Sequence, residues 1–425
     1  MLAEDKQLLW RFSATTLGMA LPFVMVGRGV MFALIAVGIL TGLAATKGES
    51  LRVTVRLMLQ SWMLLAIVAL LLVTLLSAAI GINVDMAFHK WMEIVAVVFG
   101  SGLLFFTLRE MPGQYVEILM KALAISAFAM MGLAVLDALL GDARLSAALH
   151  GTKKSLTPYR LNSFSAALSV LLPYIWARLM IKSREGEPFA QRVVFPGILF
   201  TIFTLVLCGG RAGWVGAFVA GVLFIWLLAA HHRVVLHGRE WLAGLAALAT
   251  GVVAYGFANG WQFMAERITV LHEGGRGPMS GRLEVWQAAI SHLGNDIWLG
   301  IGLQNYRFLN GAVDMHPHNW LIQMLLETGL IGTAIFFAVL GMIGWRFYQF
   351  SRNNIYGVAA LSSLAAFLVT GLANTSIVNV WWLTFFAFTS ILGWRVAWGG
   401  PDVATRRRKR LLPRRALVPT GARKK

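Results

Sequence analysis

A chain of 425 residues that is 58% hydrophobic and only 13% charged is too apolar for an ordinary water-soluble domain. Its net charge of +18 would point to nucleic acid in a soluble protein; here membrane topology accounts for most of it, and no nucleic-acid partner is expected. The single cysteine, Cys208, excludes an internal disulfide.

Apolar runs near 20 residues recur along the chain, the length that crosses a ~30 Å hydrocarbon core as helix. They predict an all-α polytopic membrane protein of about 12 transmembrane helices. The helices centre on residues 12–27, 29–45, 59–80, 88–108, 119–140, 161–181, 193–208, 212–230, 241–258, 319–345, 355–373 and 379–398. The first run lacks a small-residue cleavage site and more spans follow at once, so no cleavable leader is expected. The organisation is then a nine-helix unit over 1–258, a polar loop over 259–318, three helices over 319–398 and a basic tail over 399–425.

With both termini in the cytoplasm, most of the 37 Lys and Arg fall inside, among them Arg52, Arg56, Arg178, Arg184 and the tail Arg406–Arg410. The tail reads as a polybasic segment against anionic membrane lipid. The outer cations run against this bias: Arg144, Lys153, Lys154 and Arg160 between helices 5 and 6, Arg211 between 7 and 8, and Arg267, Arg276, Arg282 and Arg307 in the long loop. A multiply anionic ligand on the outer face would explain them. Long loops escape the rule, but Arg211 sits in a tight turn.

Three stretches carry chemistry. Gly209-Gly210-Arg211 opens helix 8 toward the outside, where free backbone N–H groups, the helix dipole and a planar guanidinium suit phosphate oxygens. The alternative is a tight turn with a snorkelling arginine. Gly281–Ile290 predicts a short helix with Arg282 at its start and Trp286, Ala289, Ile290 and Leu293 near one face, which is expected to lie on the membrane surface. In His316-Pro317-His318-Asn319-Trp320, proline fits a first helical turn, so helix 10 is expected to start there with His318 inside it and His316 on the entering loop. The pair admits a general base, a structural hydrogen bond or a metal ligand. Deeper in helix 10, Glu327 is an intramembrane acid about 13 Å below His318 and on the opposite face, with Gln323 beside it.

Together these pieces resemble the O-antigen ligase (WaaL) family, within the wider ligase and polymerase superfamily. The resemblance rests on Gly210-Arg211 opening a helix and on Ser280-Gly281-Arg282 with Trp286. It rests further on Gly300-Ile301-Gly302 with Asn305-Tyr306, and on His316-Pro317-His318-Asn319 followed by Leu321, Gln323, Glu327 and Gly329–Gly332. It implies a GT-C-like glycosyltransferase in the bacterial inner membrane, working on the periplasmic face without metal or other cofactor. The donor would be a glycan on undecaprenyl pyrophosphate and the acceptor lipid A–core. His318 would be the base. Arg211, Arg282 and Gly210 would bind the pyrophosphate, with Arg144, Lys153 and Arg160 behind them and His316, Asn319, Arg276 and Glu327 in support. The rivals are an O-antigen polymerase with the same donor, a protein O-glycosylating ligase and, from another class, a lipid-linked oligosaccharide flippase. A flippase would carry its charges along a central cavity inside the spans.

Overall fold

A computed structural model of the chain describes residues 3–46, 54–56, 59–139, 157–208, 210–232, 282–294, 296–309, 312, 315–373 and 376–399. Among these residues every long element is an α-helix and no strand occurs. In chain order they are α1 (Ala3–Ala20), α2 (Arg28–Ala45), α3 (Trp62–Ile80), α4 (Val84–Glu110), α5 (Gly113–Leu139) and α6 (Thr157–Arg184). There follow α7 (Pro188–Cys208), α8 (Arg211–His232), α9 (Arg282–Ser291), α10 (Trp320–Ser351), α11 (Ile355–Gly371) and α12 (Val380–Trp398). Eight are long and apolar enough to cross a membrane: α2, α3, α4, α5, α6, α8, α10 and α12. The protein is a multi-pass membrane protein. The apolar stretches of α7 and α11 are shorter, and the expected ninth span at 241–258 lies outside the described residues, as does the tail.

The first expected helix, 12–27, is displaced. Proline at 22 has no N–H to continue a helix, so α1 ends at Ala20 and a 3-10 turn over Pro22–Met25 leads to α2. In the other direction α1 runs back to Ala3 through Glu4, Asp5 and Lys6, charges that the hydropathy reading left outside. Helix α1 packs on α2 and α5, and the Ser13 hydroxyl donates to the Gly38 carbonyl at 2.6 Å.

Burial decides which helices form the core. Of the apolar window of α6, 83% is buried, against 17% for α3 and 22% for α4. Helix α6 is therefore central, packed by α7, α8 and α11, while α3 and α4 form a lipid-facing wing. Buried hydroxyls cross between the inner helices. Tyr174 donates to the Thr389 carbonyl (2.7 Å), Ser363 to that of Val170 (2.8 Å), and Ser169 and Thr370 share a hydrogen bond (3.2 Å). In bilayers such bonds average about 0.6 kcal/mol, so they orient helices more than they hold them. At the expected cytoplasmic rim, buried Arg395 donates to the carbonyls of Leu108 and Met111 (2.7 and 2.6 Å), closing the C-terminal end of α4.

Helix α10 is not the continuous span that the sequence predicts. It breaks at Gly329, where the backbone turns to φ 65° and ψ −171°. A break frees N–H and C=O groups, each costing several kcal/mol if left unpaired in hydrocarbon. The segment 296–302 fills the gap. The N–H groups of Ile301 and Gly302 donate to the carbonyls of Leu326 and Glu327 (2.9 and 3.2 Å). Those of Leu330 and Ile331 donate in turn to the carbonyls of Ile297 and Trp298 (2.8 and 3.2 Å). From α3, the Ser77 hydroxyl adds a bond to the Glu327 carbonyl at 2.6 Å. Both strands of this interlock need glycine. A Cβ at 329 would overlap the Trp298 carbonyl, and one at Gly300 (φ 73°) would meet the Glu327 backbone at 2.6 Å. Irregular backbone at membrane depth survives where protein surrounds it, as here.

Candidate functional site

The N-terminus of α10 organises the site. Asn319 is its N-cap, with Oδ1 accepting from the N–H groups of Leu321 (3.0 Å) and Ile322 (3.2 Å). The helix therefore begins at Trp320, and Pro317 is not in its first turn. This corrects the expected start: His318 stands before the cap, outside the helix, with a left-handed φ of 53°. Asparagine wins the cap because its short side chain reaches back to two open donors, which proline at 317 cannot do. His318 and Glu327 therefore do not share a helix, and helical periodicity does not set their relative faces.

Two bonds shape the turn. The His318 N–H donates to Nδ1 of His316 (3.3 Å), and the two imidazole rings lie 4.1 Å apart between centroids. Between them, the Pro317 carbonyl accepts from the indole N–H of Trp286 at 2.9 Å. Trp286 belongs to α9, one helical turn after Arg282, so Arg282 starts about 6 Å along the axis from the residue that grips the histidine turn.

Helix α9 is held by protein on the face expected to lie on the membrane. Val285 and Ala289 are buried against Ile301, Tyr306 and Leu326, with Trp286 and Leu293 packed at the edge. The Tyr306 hydroxyl donates to the Val285 carbonyl at 3.4 Å. The apolar positions the sequence picked at 286, 289 and 293 thus face the interlock around Gly329, and Ile290 is exposed.

Arg211 is the first residue of α8. Gly210 before it is wedged against α6: a Cβ there would come within 2.7 Å of Asn162 Oδ1 and Ser165 Cβ, and Ser165 donates to the Gly210 carbonyl at 3.3 Å. Arg160 lies in the first turns of the same α6, two residues before Asn162. The last turn of α11 joins the two halves. The Thr370 hydroxyl donates to the Ala212 carbonyl (3.4 Å), and the Trp320 indole donates to the Leu368 carbonyl (2.9 Å). The starts of α8 and α10 therefore meet on one turn, which places Arg211 and the histidine pair at the same end of the bundle. Arg144, Lys153 and Arg276 lie outside the described residues.

Glu327 is buried about one helical turn after Gln323, whose Nε2 donates to Oε2 at 3.1 Å. Gln323 Oε1 in turn accepts from the Ile377 N–H (3.2 Å), tying α10 to the entry of α12. The Glu327 carboxyl also faces the backbone of Gln304 and Tyr306 and the charge of Arg307. Its place is therefore to hold the 304–307 turn against the broken helix. Among the described residues no three His, Cys, Asp or Glu side chains gather as a metal site.

The sequence grouped Arg307 with the outer cations that an anionic ligand would explain and did not foresee its place in the turn beside Glu327, where its Nε is buried without a hydrogen-bond partner. Nor did it give Trp286 its part as the clamp on Pro317. The only advance signal for the interlock was the recurrence of glycine at 300, 302 and 329.

A search of curated proteins finds no match to the chain. Residues 196–337 match the family model described as O-antigen ligase, a stretch that runs from α7 into α10. It takes in Gly210, Arg211, Arg282, His316, His318, Asn319, Glu327 and the break at Gly329, and supports a ligase- or polymerase-type function in O-antigen glycan processing. Over that third of its length the chain is similar to the O-antigen ligase superfamily.

Proposed function

We propose that the protein is an O-antigen ligase, an inverting and metal-independent glycosyltransferase on the periplasmic face of the inner membrane. It moves a polysaccharide from undecaprenyl pyrophosphate to a hydroxyl of lipid A–core. The observation that carries this reading is the Trp286–Pro317 bond, which fastens the helix headed by Arg282 to the turn bearing His316 and His318. His318 takes the proton of the acceptor hydroxyl, and the oxygen attacks the anomeric carbon. The bond from that carbon to the pyrophosphate oxygen breaks, and Arg211 and Arg282 stabilise the charge that leaves. Fixed guanidinium groups do this without reorganising, which leaves a metal nothing to add.

The test is reconstitution of the full chain with a polyprenyl-pyrophosphate glycan and lipid A–core, in EDTA and with no ion gradient. A joined glycolipid is expected. Lengthening of the lipid-linked glycan alone would make the protein a polymerase, and movement of the donor across the bilayer without joining would make it a flippase. Loss of turnover in EDTA, restored by one divalent ion, would overturn the metal-free mechanism.

In the same assay Arg211→Ala and Arg282→Ala are each expected to lower transfer by about 10²–10³-fold, with membrane insertion unchanged. Lysine should restore little, because a point charge does not reproduce a bidentate fork. A variant that keeps more than about a tenth of the activity loses less than ~1.4 kcal/mol and removes that arginine from the clamp.

A further inference from the structure

We propose that His316 is a positioning residue, which sets the backbone and ring of His318 through Nδ1 and does not itself touch the reacting atoms; this rests on His318 being the base. His318 is one of only two residues other than glycine with a positive φ among the described residues, a conformation uncommon for any residue with a side chain. Something must hold it there. A backbone N–H can only donate, so the Nδ1 that meets the His318 N–H at 3.3 Å carries a lone pair, and a neutral His316 has its proton on Nε2. The same turn brings the two rings to 4.1 Å, so the His316 ring also walls one side of the His318 ring. Trp286 fixes the peptide between them through the Pro317 carbonyl, and Asn319 fixes the next residue by capping α10. His318 is thus clamped on both sides in sequence, and His316 supplies a bond to its backbone that closes the turn. A general base must stay within hydrogen-bond reach of its proton, and a displacement near 1 Å costs on the order of 10²-fold.

The chemistry of the side chain gives a discriminating test. Asparagine places Oδ1, like Nδ1, two bonds beyond Cβ and can accept the same N–H; glutamine places its oxygen one bond farther, nearer the site of Nε2. His316→Ala is expected to lower kcat roughly 10- to 100-fold with donor KM little changed. His316→Asn should recover most of that loss and His316→Gln little of it. Thermal unfolding of each purified variant separates this from loss of fold, since Asn and Gln should unfold alike while differing in kcat. Rescue by Gln in place of Asn, or a rise in KM without a fall in kcat, would overturn the proposal and put His316 on substrate. His318→Ala, run beside them, keeps the two readings apart: if it retains full activity, the base assignment fails, whatever the His316 series shows.

Discussion

Gly329→Ala is expected to destroy the folded protein, lowering the yield of monodisperse protein in detergent and abolishing transfer. Two costs add. The backbone at 329, φ 65° with extended ψ, lies in a region that is essentially reserved for glycine and costs about 1–3 kcal/mol for another residue. The new Cβ would also overlap the Trp298 carbonyl, which cannot retreat because its oxygen accepts from the Ile331 N–H. Overpacking of this kind costs a further ~1–3 kcal/mol. If segment 296–302 is driven out, the backbone groups around 326–331 lose their partners at membrane depth, where each loss is severe. Gly341→Ala is the control within the same helix. A Cβ there meets nothing within 4 Å, and alanine in a helix interior stabilises by about 0.5–1 kcal/mol. A Gly329→Ala protein as stable and active as Gly341→Ala would show that α10 runs unbroken in the membrane.

The contrast between these two glycines shows what the sequence could and could not disclose. Hydropathy finds α10, its neighbours and the turn before Arg211, because burial in lipid is a property of each residue's own side chain. The break at Gly329 is a property of a pair of segments: it depends on segment 296–302 supplying four backbone bonds, and no side-chain pattern at 329 records them. Gly341 looks the same in sequence and is an ordinary helical glycine. The helix start fails for a related reason. Pro317 and Asn319 both suit a helix N-terminus, and only the position of the open N–H groups decides that asparagine caps and proline stays outside. Trp286, Ala289 and Leu293 were legible as an apolar face. Whether such a face meets lipid or protein depends on Ile301, Tyr306 and Leu326, which the fold brings from elsewhere.

Outside the helix His318 is still expected to be essential, for a different physical reason. Inside a helix, His318 would have been held by the helix; outside it, the turn closed by His316, Trp286 and Asn319 must do that work. His318→Ala is expected to lower kcat by about 10²–10⁴-fold, the usual contribution of a general base, with donor KM nearly unchanged because the arginines at 211 and 282 remain. Alanine alone is ambiguous, since it also keeps a strained backbone with a positive φ. His318→Gly removes the imidazole and the strain together. If His318 served only the shape of the turn, the glycine protein would be stable and active, because glycine adopts φ near 53° without penalty. If His318 is the base, the glycine protein should be at least as stable as wild type yet as inactive as the alanine variant. Added imidazole should then restore part of the rate, since the space left by the ring would admit a free base. A glycine variant with a tenth or more of wild-type kcat would mean that less than ~1.4 kcal/mol of the barrier depends on the imidazole, and the proton must go elsewhere.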